Sequence, residues 1–264
     1  MSVVGRVESL WRYPVKSMRG EQLTEAFAGF AGIYGDRIYA FRSSAAPKGF
    51  PYLTGREYEQ MLLHTPVFRH PERAAHPLNL AEADALSPGI TPLYATLAEL
   101  IVDVQTPSGE KLSIDDPLLI ARLRERVRQG HELTLLRSER ALTDCRPISL
   151  FSLQTVGQLS NEVGATLDKL RFRANIYADL DAANGFAEDE FVGRKLKIGA
   201  TAVIAVVKRD GRCKMITLDP NTAEANPDVM RVLSQAHEGK AGVYGAVLVE
   251  GMIRSGDEIA VVAD

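Results

Sequence analysis

Cys213 combines a thiol with cationic neighbours, a setting in which cysteine does chemistry. It lies between Arg212 and Lys214, directly after a glycine, in the segment GRCKMITLDP. Cationic neighbours favour the thiolate, which is both the nucleophile and the soft metal ligand. A free cysteine is commonly an inert buried residue, but the flanking charges disfavour that interpretation. The residues alone indicate a reactive cysteine at an anion-binding turn, which fits sulfur transfer, redox sensing or metal binding.

Two N-terminal turns also carry groups suited to an anion. Lys16 and Ser17 follow the proline of YPVKS, and Arg37 follows the glycine turn of YGDR. Lysine supplies a point charge, serine a donor, and arginine can bind an anion through two N–H groups. The alternative is that these are solvated turn residues, with Arg37 paired to Asp36 or Glu21.

The segment DKLRFRANIY predicts a further cluster of polar groups. In an extended strand, Arg171, Arg173 and Asn175 share one face, and Phe172 and Ile176 share the other. Two cations and an amide are costly to bury unless an anion lies opposite. The solvent-facing side of an antiparallel strand would give the same pattern, so both interpretations stay open.

Composition and charge exclude several classes of function. The 264 residues are 45% hydrophobic and 25% charged, which is ordinary for a globular protein of one or two domains. A net charge of −3 gives no general attraction to nucleic acid or to an anionic membrane. No apolar run reaches the ~20 residues of a membrane span, and the N-terminal residues lack the layout of a secretory signal. We therefore expect a cytoplasmic protein without nucleic-acid or membrane partners.

The cysteines and histidines do not match a zinc or non-haem iron site. Cys145 and Cys213 are too far apart for a CxxC motif, and the five histidines form no HExxH pair. Such a site is disfavoured.

The elements that must position these residues are expected to be short strands with glycine turns. Strands are predicted at 3–13, 22–30, 37–42, 100–106, 111–114, 172–178, 196–198, 202–207, 243–250 and 258–262, with an irregular stretch at 66–92. Helices are predicted at 117–129, ending at Gly130, from Ser152 to Gly164, and at 227–236. The pattern predicts a mainly β protein with a few helices and closed barrels rather than a doubly wound sheet. The helix after Asp116 marks the predicted boundary between domains 1–115 and 116–264.

Together, YPVKS, GDR before a strand, RFRAN and RC…T.DP resemble the signature set of the MOSC family, proteins related to the C-terminal domain of molybdenum cofactor sulfurase. The first two segments resemble the β-barrel module that often precedes a MOSC domain. The chain is most similar to the amidoxime reducing components and their bacterial counterparts. The resemblance therefore implies an N-terminal β-barrel-like domain followed by a MOSC β-barrel domain.

The resemblance also implies the cofactor and its contacts. The cofactor would be molybdenum bound to molybdopterin, without pyridoxal phosphate, and the position that matches the metal-ligating, catalytic cysteine is Cys213. The other implied contacts are Lys16, Ser17, Arg37, Asp144, Cys145, Arg146, Arg173, Asn175 and Arg212. The chain departs from these relatives at Cys145 and Arg146. It is also longer around 181–189, which predicts a different pocket rim.

The implied activity is that of a molybdenum-dependent oxidoreductase that reduces N-hydroxylated small molecules such as amidoximes and hydroxylamines. Because no cysteine cluster follows the MOSC region, we expect the electrons to come from a separate ferredoxin-, flavin- or haem-type protein. Two alternatives use the same residues: a sulfur carrier with a persulfide on Cys213, and a protein that stores or delivers the cofactor. No side chain is assigned to proton delivery, since Asp219 of the DP turn is better explained by a structural role.

Overall fold

The computed structural model describes residues 1–86, 91–127 and 131–263. The strands in these ranges are β1 (Ser2–Arg12), β2 (Glu21–Leu23), β3 (Glu25–Gly29), β4 (Gly32–Ile33), β5 (Tyr39–Ser43), β6 (Thr65–Phe68), β7 (Val102–Gln105), β8 (Lys111–Ser113), β9 (Leu133–Arg137), β10 (Ile148–Ser152), β11 (Ile176–Leu180), β12 (Lys195–Ile198), β13 (Ala202–Gly211), β14 (Lys240–Val249), β15 (Gly251–Arg254) and β16 (Glu258–Val261). The helices are α1 (Leu80–Ala85), α2 (Pro117–Arg124), α3 (Leu153–Val163) and α4 (Pro227–Ala236), with 3₁₀ turns at 59–63, 71–74, 169–172, 187–191 and 214–217. No helix of the described ranges is long and apolar enough to cross a membrane.

Seven of the described strands close a barrel. They run in the hydrogen-bonded order β11–β10–β14–β13–β12–β16–β1, and β1 pairs again with β11, which closes the ring. The β10–β11 pair is parallel, and the other pairs are antiparallel. The mainly β fold with a closed barrel confirms the sequence prediction.

The barrel interior is built from side chains that alternate along each strand. Ile176 and Ala178 of β11, and Ala202, Ile204 and Val206 of β13, all belong to one buried apolar cluster. Because successive residues of a strand face opposite sides, this alternation fixes which side chains face inward. β-branched residues fill such a pleated, buried surface well.

The first half of the chain forms smaller sheets beside the barrel. β3 pairs with β4 and with β15, β5 pairs with β9, and β6, β7 and β8 form a meander. A second apolar core lies among them, with Met18, Phe41, Met61, Val102 and Leu119 fully buried. The halves exchange strands, because β1 completes the barrel and β15 completes an N-terminal sheet. The boundary at 115/116 remains a prediction.

Two helices follow the sequence prediction closely. α3 begins after Ser152, whose side chain accepts from the Thr155 amide, and it ends at Gly164 with φ 73°. α4 begins after Asn226, which caps it in the same way. Leu159 of α3 and Leu233 of α4 lie in a third core cluster. Ordinary caps and an αL glycine therefore set these helix ends, as expected.

The predicted strand 172–178 is wrong over its first half. Residues 169–172 form a 3₁₀ turn because the Asp168 side chain accepts from the Leu170 amide, and the strand begins only at Ile176. Arg173 ends the turn in a left-handed conformation, with φ 52°. Arg171, Arg173 and Asn175 therefore do not share a strand face.

Other element boundaries also differ from the prediction. The stretch 66–92 contains part of β6, a 3₁₀ turn and α1, and the strand predicted at 22–30 is divided into β2 and β3. Residues 87–90 lie outside the described ranges. The helix predicted at 117–129 is capped by Asp116 but α2 ends at Arg124, and Gln129 and Gly130 lie outside the described residues. Five strands were not predicted: β4, β6, β9, β10 and β15.

Candidate functional site

A cleft at one end of the barrel collects nine of the ten predicted site residues. β1 ends at this rim, β11 and β10 begin there, and β13 ends there opposite the start of β14. The segments that continue from these strand ends therefore converge. The predicted residues that line the cleft are Lys16, Ser17, Arg37, Asp144, Arg146, Arg173, Asn175, Arg212 and Cys213. Cys145 is half-buried and does not line it.

Three of these residues adopt a backbone conformation that favours glycine. Ser17, Arg37 and Arg173 have φ values of 65°, 48° and 52°. The left-handed region costs an ordinary residue about 1–2 kcal/mol, so the surrounding contacts must hold it there. The Arg37 amide, for example, donates to the Tyr13 carbonyl oxygen at 2.7 Å. Such strain is concentrated at binding and active sites.

Lys16 reaches across the cleft to the loop before β10. Its Nζ donates to the Leu142 carbonyl oxygen at 2.7 Å and pairs with the Asp144 carboxylate. Burial lowers the pKa of Lys16, and Asp144 opposes this effect. Burial would raise the pKa of Asp144, but the Lys16 charge outweighs it and the pKa is lowered. The ammonium also lies over the rings of Phe50 and Tyr52, at 5.1 and 4.8 Å.

Arg37 and Arg173 lie on the buried ring of Tyr13. Their guanidinium carbons are 4.7 and 4.3 Å from the ring centroid. Arg37 pairs with Asp36 and donates to the Arg173 carbonyl oxygen at 2.8 Å, while Arg173 donates to the Met18 carbonyl oxygen at 2.8 Å. Burial lowers the pKa of Arg173 to about 10, so it stays charged at neutral pH. Burial opposes the charge on Arg37 too, but Asp36 outweighs it and raises the pKa.

Arg212 is held rigidly beside Cys213. Its Nε donates to the Ala241 carbonyl oxygen at 2.7 Å, and one terminal nitrogen donates to the Phe172 carbonyl oxygen at 2.8 Å and pairs with Asp210 at 2.9 Å. The other terminal nitrogen is buried without a partner. Cys213 is half-buried and immediately precedes the 3₁₀ turn 214–217.

The side chain of Asn175 makes most of its hydrogen bonds within the protein. Its Oδ1 accepts from the Ser149 amide and from Ser149 Oγ, both at 3.2 Å, and its Nδ2 donates to the Trp11 carbonyl oxygen at 3.3 Å. The side chain is only 1% exposed. A primary amide has two donors, so one N–H remains for a ligand, and its role as a cofactor contact remains a prediction.

Asp210 and Tyr244 line the cleft and were not singled out in the sequence. Asp210 is 2% exposed, and burial raises its pKa to about 6 although Arg212 opposes the shift. Burial also raises the pKa of Tyr244, and the nearby charge of Asp210 adds to this effect. The sequence feature that could have identified Asp210 was the position of a carboxylate three residues before Cys213. Its burial could not be read from the chain, because it depends on the closing of β13 against β14.

Arg171, which lines the cleft, forms a structural pair with Asp219. Arg171 donates to the Thr217 carbonyl oxygen and to an Asp219 carboxylate oxygen, each at 2.8 Å. The other Asp219 oxygen accepts from the amides of Asn221 and Thr222. Asp219 does not line the cleft, and its contacts are those of a turn residue.

The longer segment at 181–189 does not shape the rim, contrary to expectation. None of residues 181–191 lines the cleft. Instead, Glu188 is buried at the start of α3, where it accepts from Ser152 and Thr155.

Comparison with protein-family models identifies the family to which the chain belongs. The MOSC domain model matches residues 137–260, and the MOSC N-terminal β-barrel domain model matches residues 4–92. This chain belongs to the MOSC-domain proteins. None of the curated proteins matches it.

The chain is also similar to several solved structures. The chain is 13% identical to APC1665, the YUAD protein of Bacillus subtilis, over 98% of this chain and 96% of that one, with a TM-score of 0.48. YiiM from Geobacillus stearothermophilus is 22% identical and YiiM from Escherichia coli 14% identical. Each covers 45% of this chain and 55% of its own length, with TM-scores of 0.36 and 0.34. At these scores they add nothing to the argument on function.

MOSC domains are generally associated with the molybdenum cofactor, and the charges of the cleft in this MOSC protein suit that anion. The cleft has two carboxylates, Asp144 and Asp210, against seven cations: Lys16, Arg37, Arg56, Arg146, Arg171, Arg173 and Arg212. Buried guanidinium nitrogens of Arg171 and Arg212 lack hydrogen-bond partners in the described parts of the chain. Unpaired buried donors are unfavourable unless an acceptor arrives.

The remaining chemistry of the cleft also fits this cofactor. A thiolate suits molybdenum, and cations suit a pterin phosphate. No cluster of three or more metal-ligating side chains occurs in the described parts of the chain, so a metal on Cys213 would take other ligands from its pterin. The cleft encloses only about 90 Å³, less than the ~300 Å³ of a typical ligand pocket. Its long side chains must therefore withdraw to admit the cofactor.

Proposed function

We propose that this MOSC protein binds the molybdenum cofactor and reduces N-hydroxylated compounds such as amidoximes and hydroxylamines. In the overall reaction the N–OH group takes up two electrons and two protons and leaves N–H and water. The observation that carries the proposal is the convergence of Cys213 with five cations, Lys16, Arg37, Arg146, Arg173 and Arg212, in one cleft. The electrons would come from a separate donor protein, and the reaction would take place in the cytoplasm.

Different side chains of the cleft would bind different parts of the cofactor. Cys213 provides the thiolate that binds the metal, and Lys16, Ser17, Arg37 and Arg173 provide donors and charge for the phosphate. The proposed contacts are completed by Asp144, Arg146, Asn175 and Arg212, whereas Cys145 does not line the cleft and is not among them. When bound, the cofactor supplies the two-electron redox couple, while the protein supplies orientation and electrostatics.

Asp210 is the group of the cleft best suited to hold the proton that leaves with the hydroxyl. Burial raises its pKa to about 6, which is close to neutral pH, where a general acid works most effectively. The proton would reside on a carboxyl oxygen beside Tyr244, and Arg212 fixes the orientation of that carboxyl group. Because Asp210 is only 2% exposed, water has little access to this carboxyl group and would not compete with the substrate for its proton.

A sulfur carrier would use the same Cys213 but would not need the distant cations. Lys16, Ser17 and Arg37 come from turns about two hundred residues upstream of Cys213. Ser17 and Arg37 have left-handed backbone conformations of the kind that is concentrated at binding sites. Cofactor binding explains these residues, and a persulfide alone does not.

The test is metal, pterin and sulfur analysis of the protein purified from a cofactor-competent host. Wild type and Cys145→Ala, the matched control, should contain equal molybdenum and pterin and reduce benzamidoxime with an artificial donor. Cys213→Ala should lose molybdenum. Cyanide-labile sulfur on Cys213 without molybdenum would favour the carrier. Molybdenum without turnover of any N-hydroxylated compound would favour storage or delivery.

A further inference from the structure

Arg56 is a cation of the cleft to which no role has yet been given. It lines the same cleft as Cys213, and its Nε is buried without a hydrogen-bond partner. Lys16, Arg37, Arg171 and Arg212 each have a carboxylate partner. The guanidinium of Arg56 instead lies on the ring of Phe50, with its carbon 4.4 Å from the centroid.

The segment around Arg56 packs against the segment around Cys213. Lys214 Nζ donates to the Arg56 carbonyl oxygen at 3.1 Å and pairs with Glu59 at 2.6 Å. A Cβ atom on Gly55 would lie 2.7 Å from the Met215 sulfur, so the two segments approach closely here. Lys214 pairs with Glu59, whereas Arg56 has no direct carboxylate partner among the described residues.

The chemistry around Arg56 suits a flat carboxylate. A guanidinium binds a carboxylate through two parallel N–H···O bonds, and it does so most strongly where water is excluded. The ring of Phe50 is not among the residues that line the cleft, and it packs against the guanidinium of Arg56. The proposed phosphate contacts, Lys16, Ser17 and Arg37, come from other segments and do not need Arg56.

We infer that Arg56 binds the carboxylate of the substrate, so that the preferred substrates are N-hydroxylated carboxylic acids. This inference rests on the proposed reductase function for its substrate class. The carboxylate would dock on Arg56, with the N–OH group toward Cys213, which lines the same cleft. A neutral N-hydroxylated compound would bind without using this charge.

The test compares benzamidoxime with 4-carboxybenzamidoxime as substrates of the holoprotein. In Arg56→Met, kcat/KM for the carboxylate should fall about 10- to 100-fold, mainly through KM, as expected for loss of a charge-assisted pair. The neutral substrate should change less than about twofold. Arg56→Lys keeps the positive charge but cannot form two parallel hydrogen bonds, so its kcat/KM for the carboxylate should lie between those of wild type and Arg56→Met. Arg231→Met, an exposed change on α4, is the control and should match wild type.

A second readout does not depend on turnover. Calorimetry should show 4-carbamoylbenzoate binding to wild type more tightly than benzamide, and this preference should disappear in Arg56→Met. If wild type reduces neither amidoxime, the proposed function fails while this binding arm still decides the role of Arg56. Equal losses for both substrates, an unchanged preference for the carboxylate, or loss of pterin from Arg56→Met would overturn the inference.

Discussion

At the residue scale, the important feature of the cleft is which of its cations have partners. Most of them pair with a carboxylate or donate to a carbonyl oxygen, and the guanidinium nitrogens that do neither are the donors available to a ligand. The sequence motifs correctly selected residues that converge, because each lies next to the end of a strand and those ends meet at one rim. They could not select Arg56 or Asp210, whose significance depends on burial and on the absence of a partner in the folded protein.

Asp210 should give the protein a characteristic dependence of stability on pH. A carboxyl group whose pKa is raised in the folded state binds more protons there, so its contribution is fully present below about pH 4 and is lost as the pH rises through about 6. For a group this buried, the loss amounts to about 3 kcal/mol. Asn cannot ionise, so Asp210→Asn should lack this decline.

The measurement is urea denaturation of both proteins at pH 4 and pH 7. Wild type should lose about 3 kcal/mol more than Asp210→Asn between the two pH values. Parallel pH profiles would show that the Asp210 carboxyl group is not perturbed. The unpaired Arg212 of the variant should lower its stability at both pH values alike, which leaves the comparison intact.

At the element scale, local side-chain hydrogen bonds decided where prediction succeeded. Ser152, Gly164 and Asn226 set the ends of α3 and α4 as their residue types suggest. The same kind of bond from Asp168 turned an expected strand into a 3₁₀ turn, since Asp competes with the sheet for backbone amides. The strand β10 was missed because its pairing with β11 and β14 is a long-range contact.

Glu188 should contribute strongly to stability, because it joins the 187–191 turn to the start of α3. It is fully buried, and its carboxylate accepts from Ser152 Oγ at 2.6 Å and from Thr155 Oγ1 at 2.8 Å. Glu188→Ala would leave these donors buried without acceptors. We expect a loss of about 3 kcal/mol in the free energy of unfolding, measured by chemical denaturation.

Controls for Glu188 separate lost hydrogen bonds from lost volume. Glu188→Gln keeps the size and one carbonyl acceptor, and it should lose clearly less stability than the alanine variant. Because residues 181–191 do not line the cleft, pterin content per folded molecule should be unchanged in both. Reduced pterin content in a folded Glu188→Gln variant would show that this segment does affect the site.

At the scale of the whole molecule, the two halves are joined by exchanged strands. β1 closes the barrel between β11 and β16, and β15 extends the sheet of β3. The site depends on this exchange, because Lys16 and Ser17 follow β1 directly. Composition and periodicity predicted the β class of the fold, but the exchange pairs segments about 170 or more residues apart and leaves no local pattern.

The exchange predicts that the second half cannot fold alone. Residues 116–264 without β1 would expose the unpaired edges of β11 and β16, which favours aggregation. This fragment should show no cooperative thermal transition, and co-expression with residues 1–115 should restore a soluble complex that has one. A monomeric, cooperatively unfolding 116–264 fragment would show that β1 is dispensable to the barrel.

The central claim is that Cys213 binds the molybdenum of a cofactor held in the cleft, and X-ray absorption at the molybdenum edge tests it most directly. Spectra would be compared for wild type, Cys213→Ser and the matched control Cys145→Ser, each made in a cofactor-competent host. We expect one sulfur neighbour of molybdenum fewer in Cys213→Ser than in wild type, and no change in Cys145→Ser. Molybdenum with the same number of sulfur neighbours in all three proteins would contradict the account.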